Sequence, residues 1–207
     1  PRRVAFNTDG TKMYIVRYTT AVRVVYQYTL STGFDVSSAS YASLSFDVSS
    51  QDTSPQDLSF NTDGTKMFVV GDTNDSVYEY SLSTGFNVST ASYTRLYSVA
   101  SQDTSPRGLV FNSDGTKMFF VGVQNADVYE YSLSTAFNLS SVSYVGNFSI
   151  SSQEVNPQAI AWNSNGSKMF IVGLSGADVN EYTVGTTAYT NQMDKTQLDA
   201  VTDPNHI

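Results

Sequence analysis

A repeat constrains this chain more than any other feature. The string Phe6-Asn7-Thr8-Asp9-Gly10-Thr11-Lys12-Met13 returns almost letter for letter at residues 60–67, 111–118 and 162–169. Pro1, Pro55, Pro106 and Pro157 keep the same beat, 54, 51 and 51 residues apart. Val77-Tyr78-Glu79-Tyr80 recurs at residues 128–131, with variants Val25-Tyr26-Gln27-Tyr28 and Val179-Asn180-Glu181-Tyr182. A third motif, Leu-Ser-Thr-Gly-Phe-Asn-Val-Ser, runs from Leu82 to Ser89 and is echoed after Leu30 and Leu133. A period of this length means one supersecondary unit stacked several times.

Each unit reads as four short strands. The first follows the proline, as in Asp57-Leu58-Ser59-Phe60, and stops at the Asn-x-Asp-Gly turn. The second is 66–70, ended by Gly71, and the third is 76–82. The fourth is expected near 96–100, before the Ser-Gln-Asp-Thr-Ser-Pro loop. Gly supplies the positive φ that a tight turn demands. Ser and Thr form a quarter of the chain and aromatics 13%, which suits half-buried sheet. Helical periodicity is hinted only at 192–201. One four-stranded sheet cannot bury both faces alone, and stacking such sheets around an axis solves that problem. The expected fold is therefore all-β, a β-propeller of four-stranded antiparallel blades. The expected blades are 1–54, 55–105, 106–156 and 157–184, with 185–207 as an extension or incomplete outer strand. Residues 195–201 fall at the strand-four position of the last blade but match it poorly. That reading implies a propeller completed by further blades or by partner chains, hence an oligomer or a larger assembly; the alternative is that the four blades close a small ring by themselves.

Several function classes are excluded by what the chain lacks. It has no Cys, so disulfides, thiolate metal sites and Cys nucleophiles are absent together. Its single histidine, His206, stands outside the repeats, which leaves no Ser-His pair or multi-His metal site within them. A net charge of -8 argues against a nucleic-acid partner. No apolar run approaches the ~20 residues of a membrane span, so no membrane insertion is expected.

The Asn-x-Asp-Gly-x-Lys-Met-Phe-x-Val unit resembles the Asp-Gly turn repeat of lactonase-like and surface-layer-type propellers, from Pro1 to about Val184. The Trp-Asp and Gly-His pairs of WD repeats are missing. The resemblance implies the propeller fold; such blades serve enzymes, adhesins, phage structural proteins and scaffolds. It also implies a ligand face, made by the loops from strand four to the next strand one and from strand two to strand three. On that face lie Gln51, Asp52, Asp72, Asp75, Gln102, Asp103, Asp127, Gln153, Glu154 and Asp178. Their carboxylates and amides suit a sugar, or a hard cation such as Ca²⁺. The bland reading of the same residues is turn capping. No dedicated metal site or other cofactor is expected. The Asn-x-Asp-Gly turns lack the Glu at position 12 of an EF-hand loop and run straight into strands, so they read as turns.

Tyr78, Tyr80 and Phe68 alternate within strands and read as blade core, as does Trp162 in the place of Phe. Leu58, Phe60 and Val70 are expected to be buried with them. Lys12, Lys66, Lys117 and Lys168 pair by register with Gln27, Glu79, Glu130 and Glu181. Four of six arginines (Arg2, Arg3, Arg17, Arg23) sit in the first blade, a basic edge suited to the last blade or to another acidic chain. Asn74, Asn87, Asn138, Asn147 and Asn165 form sequons, which establish no glycosylation by themselves. The reading that follows is a non-catalytic binding or assembly module. Its partner would be a protein or glycan, in an extracellular, cell-surface or virion setting such as a fibre or decoration protein. The alternative is a lactonase- or lyase-type enzyme with an acidic, metal-binding loop face. A third is a purely structural repeat.

Overall fold

The Asn-x-Asp-Gly turn fixes the register of every repeat. A computed structural model of the chain describes residues 1–176 and 178–184, together with strand residues 200–201. In it the Asn7 side chain accepts from the Lys12 N–H (2.8 Å), and Asp9 accepts from the Thr11 N–H (2.9 Å) and hydroxyl (2.6 Å). Gly10 then turns the chain at φ 71°, in the left-handed region that glycine enters without a Cβ clash. The same bonds recur at Asn61 and Asp63, at Asn112 and Asp114, and at Asn163 with Asn165 in the Asp position. They place Phe6 opposite Met13, Phe60 opposite Met67, Phe111 opposite Met118 and Trp162 opposite Met169.

Four antiparallel sheets result, each in chain order. The first is β1 (Arg3–Phe6), β2 (Lys12–Tyr18), β3 (Arg23–Leu30) and β4 (Ala39–Asp47). The second is β5 (Pro55–Phe60), β6 (Lys66–Gly71), β7 (Ser76–Leu82) and β8 (Ala91–Ser98). The third is β9 (Pro106–Phe111), β10 (Lys117–Gly122), β11 (Asp127–Leu133) and β12 (Val142–Ser149). The fourth is β13 (Pro157–Trp162), β14 (Lys168–Gly173), β15 (Val179–Thr183) and β16 (Ala200–Val201). The fold is all-β, and these sheets are β-propeller blades.

Three sequence expectations need correction. The fourth strand starts at Ala91, not near Leu96, because a 3-10 turn at Val88–Thr90, capped by Asn87, feeds straight into it. Within the segment with hinted helical periodicity, Ala200–Val201 is a strand paired with Tyr182 and Glu181; the rest of it, and His206, lie outside the described residues. Lys66, Lys117 and Lys168 do pair with Glu79, Glu130 and Glu181, but diagonally rather than face to face. Lys66 is opposite Ser81, and its Nζ reaches diagonally to Glu79 Oε1 (2.8 Å), as Lys117 does to Glu130 (2.6 Å) and Lys168 to Glu181 (2.5 Å). Gln27 makes no such pair; its Oε1 accepts from the Val88 N–H of the next blade (3.1 Å).

The Leu-Ser-Thr-Gly-Phe motif closes each turn from outside. Phe34, Phe86 and Phe137 adopt φ of 62°, 58° and 52°, and their N–H groups bond the carbonyls of Gly10, Gly64 and Gly115. Holding phenylalanine there costs about 1–3 kcal/mol. The return is a ring lying on the turn glycine, where an added Cβ would come within 2.4, 2.3 and 2.1 Å of the ring at Gly10, Gly64 and Gly115.

The described residues fall into two compact units, Pro1–Ala100 and Ser101–Ile207. In the first, Tyr14, Val16 and Val25 of blade one pack against Leu58, Met67, Val69, Tyr78 and Tyr80 of blade two. In the second, Phe119, Val121 and Val128 of blade three pack against Ile160, Met169, Ile171 and Tyr182 of blade four. The aromatic pairs repeat as well: Tyr14–Phe60 (4.5 Å) corresponds to Phe119–Trp162 (4.9 Å), and Phe46–Tyr80 (5.4 Å) to Phe148–Tyr182 (5.9 Å). Leu58, Phe68, Val70 and Tyr80 are buried as expected, while Phe60 is half-buried beneath Tyr14 and Phe86.

Candidate functional site

The loop-face acids fall into two kinds. Asp52, Asp103 and Glu154 are almost wholly buried. Asp52 accepts from the Ser54 N–H (2.6 Å), the Asn74 N–H (3.2 Å) and the Tyr78 hydroxyl (3.2 Å). Asp103 repeats this with Ser105 (2.7 Å), Asn125 (3.2 Å) and Tyr129 (3.3 Å). Glu154 takes the N–H groups of Asn156 (2.5 Å), Ser175 (3.2 Å) and Gly176 (3.3 Å). Burial pushes the Glu154 carboxyl up, but those N–H groups outweigh it and hold it below the ordinary carboxylate range. Burial also pushes the Tyr78 hydroxyl up to about 12, so it stays a donor to Asp52.

Each of these acids stands on a glycine. A Cβ on Gly71, Gly122 or Gly173 would lie 2.2, 2.3 or 2.0 Å from the carboxyl group of Asp52, Asp103 or Glu154. The acid thus ties the loop before strand one to the turn after strand two of the same blade. Gln51 and Gln102 strengthen the tie: their carbonyls accept from Asn74 (3.0 Å) and Asn125 (3.1 Å), and their side chains from Tyr80 (3.4 Å) and Tyr131 (3.0 Å). Gln153 is exposed and bonded by Ser152 instead (2.6 Å).

The remaining loop acids are dispersed. Asp72 is half-buried, and its N–H donates to the Ser54 carbonyl (3.1 Å). Asp75 sits at φ 46°, with its carbonyl accepting from Val99 (2.8 Å). Asp127 is buried and accepts from Asn147 (2.5 Å), and Asp178 accepts from Asn180 (3.0 Å). Among the described residues no three His, Cys, Asp or Glu side chains are grouped to hold a metal ion.

A second polar set lies on the first strands, which face one another within each unit. In the first unit Arg3 Nε pairs with Asp57 Oδ1 (2.9 Å) across β1 and β5. Asp57 is fully buried and also accepts from the Leu58 N–H (2.7 Å), while Arg3 keeps a quarter of its side chain exposed. Gln56 beside it donates to Ser54 Oγ (2.9 Å). In the second unit Arg107 and Gln158 hold the position after the proline, half-buried, with Gln158 donating to Asn156 Oδ1 (2.7 Å). There β9 and β13 approach so closely that a Cβ on Gly108 would be 2.7 Å from the Ile160 nitrogen. The sequence marked Arg3 only as part of a basic edge and the others not at all; the available signal was a polar residue after each repeating proline, doubled in Arg2-Arg3 and Gln56-Asp57 and single in Arg107 and Gln158. The basic edge of blade one is thereby partly engaged inside its own unit: Arg3 meets Asp57, and Arg23 Nε donates to the Thr53 carbonyl (3.1 Å).

No protein-family model matches the chain, and no curated protein matches it in sequence. Solved structures resemble it in fold. A candidate 6-phosphogluconolactonase from Bacteroides uniformis is similar at TM-score 0.65 and 11% identity, over 96% of this chain and 54% of that one. The periplasmic gluconolactonase PpgL of Pseudomonas aeruginosa is similar at 0.57 and 12%, over 96% and 52%. The Swd1 β-propeller domain of Myceliophteria thermophila is similar at 0.55 and 13%, over 88% and 52%. The likeness is one of β-propeller fold. The chain spans about half the length of these structures. No helix among the described residues is long and apolar enough to cross a membrane.

Proposed function

We propose that this chain contributes blades to a lactonase-type propeller that binds a sugar-acid lactone against its first strands. The observation that carries the reading is the Arg3–Asp57 pair, a partly exposed guanidinium held in place by a buried carboxylate on facing first strands. Lactone hydrolysis forms a bond from a water oxygen to the carbonyl carbon and breaks the ring C–O bond, with the proton passing to the leaving hydroxyl. Negative charge develops on the carbonyl oxygen, and a preorganised cation beside it lowers that barrier. Arg3 is that cation, with Asp57 positioning it; Gln56 supplies an amide for sugar hydroxyls. The fold likeness to a gluconolactonase and a candidate 6-phosphogluconolactonase supports the substrate class. The periplasmic neighbour supports an exported location. The test is hydrolysis of gluconolactone and 6-phosphogluconolactone by the purified chain, followed by proton release. Arg3→Gln is expected to lower kcat/KM about a hundredfold. Absence of saturable turnover, or equal rates in Arg3→Gln, would sink the reading.

One observation favours the non-catalytic alternative, a protein- or glycan-binding module. The three buried loop acids serve the chain's own turns, which leaves exposed hydroxyls and amides on the loops of each unit, Thr53 and Thr73 in the first and Thr104 and Gln124 in the second. Glycan binding without lactone turnover would decide for it.

A further inference from the structure

Equivalent residues in different blades differ sharply in exposure. Each sheet has an outgoing face, made by Tyr14, Val16 and Val25 in blade one, and an incoming face, made by Leu58, Val69 and Tyr78 in blade two; both are sealed in the first unit. The second unit repeats the junction between blades three and four. In blade four, however, the outgoing valines are open. Val172 is 43% and Val179 56% exposed, while Val16, Val121, Val25 and Val128 at the same positions are fully buried. Blade one is open on the other side. Val4 is 50% and Val36 61% exposed, whereas their counterparts Leu58, Ile160, Val88 and Leu139 are buried. Phe34 joins that patch at 60% exposure.

The polar contacts of the sealed junction are half present on each open face. Between blades one and two, Gln27 Oε1 accepts the Val88 N–H that opens the 3-10 turn. In blade four the Gln27 position is Glu181, whose side chain is 26% exposed against 3% for Glu79 and 7% for Glu130. In blade one the Val88 position is Val36, which opens the equivalent turn Val36–Ser38. One open face carries the acceptor and the valine wall; the other carries the donor turn and the residues that fill such a wall. Exposed apolar surface of this kind marks an association site.

We infer that the chain self-associates head to tail, with blade one of a second copy seated on the outgoing face of blade four. The second copy is the occupant because its blade one presents the Leu58-type, Val88-type and Phe86-type residues at Val4, Val36 and Phe34, matched to the wall by the repeat itself. The interface is heterologous: two different patches meet, so each copy has one of each to offer. Val36 N–H bonds Glu181, and Val4 and Phe34 cover Val172 and Val179. This goes beyond the lactone reading and is independent of it, since its readout is mass rather than turnover.

The experiment is light scattering with size exclusion across the micromolar range. Wild type is expected to exceed one copy in mass. Val179→Lys breaks the outgoing face and Val36→Lys the incoming face, so each variant alone should be monomeric. Mixed, the two variants retain one intact junction between them and should stop at a one-to-one dimer. Circular dichroism confirms that each variant is folded, and Thr94→Lys, on an exposed residue of blade two outside both patches, should leave the wild-type mass unchanged. A wild-type monomer throughout would overturn the inference and give the open face to a segment of its own chain. Variants that stay associated, or a mixture that stays monomeric, would overturn it too, the latter because a two-patch junction must be rescued by mixing.

Discussion

Asp114 and Asn165 occupy the same turn position in successive blades, and each accepts the N–H and hydroxyl of the residue two ahead. An amide therefore satisfies the turn geometrically, and the charge adds something else. The Thr116 hydroxyl, then its N–H, hold the Asp114 carboxyl below its ordinary value; Thr11 and Thr65 do the same for Asp9 and Asp63. A carboxyl depressed in the folded state contributes stability above its unfolded pKa, and that contribution disappears as pH falls through the folded value. Replacing all three with Asn should lower thermal stability at neutral pH, where the charged form contributes. It should also flatten the decline below about pH 4, near the unfolded carboxylate value. Thermal melts across the acid range check this, and an unaltered acid slope would show that these turns are not the source.

Between elements, the tie of loop acid to strand-end glycine joins the entry of a blade to its second strand. Gly71→Ala would drive a methyl into the Asp52 carboxyl, at a cost of about 1–3 kcal/mol. Asp52→Ala would leave the N–H groups of Ser54 and Asn74 without their acceptor, and should also destabilise. The two losses should not add: once the carboxyl is gone, the extra methyl has room, giving a coupling of about 0.5–3 kcal/mol. Urea denaturation of the single and double variants measures it, and simple additivity would remove the cradle role. The glycine was legible in the sequence as a strand stop, and the acid as a turn former. Their partnership was not, because they stand nineteen residues apart with a whole hairpin between them. Arg17 in the glycine position of blade one shows the same dependence from the other side: that blade ends β2 with a tight turn at Thr19–Val22 and carries no such pair within the described residues.

For the whole molecule, repetition made the architecture readable while hiding what distinguishes one copy from another. The period, the proline beat and the Asp-Gly turns sufficed for the repeated four-stranded blade, but not for the last outer strand at Ala200–Val201, where the repeat's pattern fades. The Arg3–Asp57 pair was hidden, since it joins two repeats, and the expected lysine–glutamate pairs form by a diagonal reach that register does not show. Val172 and Val121 are the same letter in the same motif, yet one is open and the other sealed, because exposure is set by the neighbour rather than by the residue.

One difference among the copies also gives the molecule a chemical clock. Gly10, Gly64 and Gly115 lie under phenylalanine rings, whereas nothing among the described residues comes within 4 Å of a Cβ placed on Gly166. That turn reads Asn165-Gly166, and its Gly N–H donates to the Asn163 carbonyl (3.1 Å). When the turn opens, the glycine nitrogen can attack the asparagine side-chain carbon, expelling ammonia and closing a succinimide that water reopens to aspartate or isoaspartate. On prolonged incubation at mildly alkaline pH, peptide mapping should find this conversion first at Asn165, and ahead of Asn7, Asn61 and Asn112, which no glycine follows. Few charged groups populate this chain, so one added negative charge should show as an acidic satellite in isoelectric focusing, marking the age of each preparation.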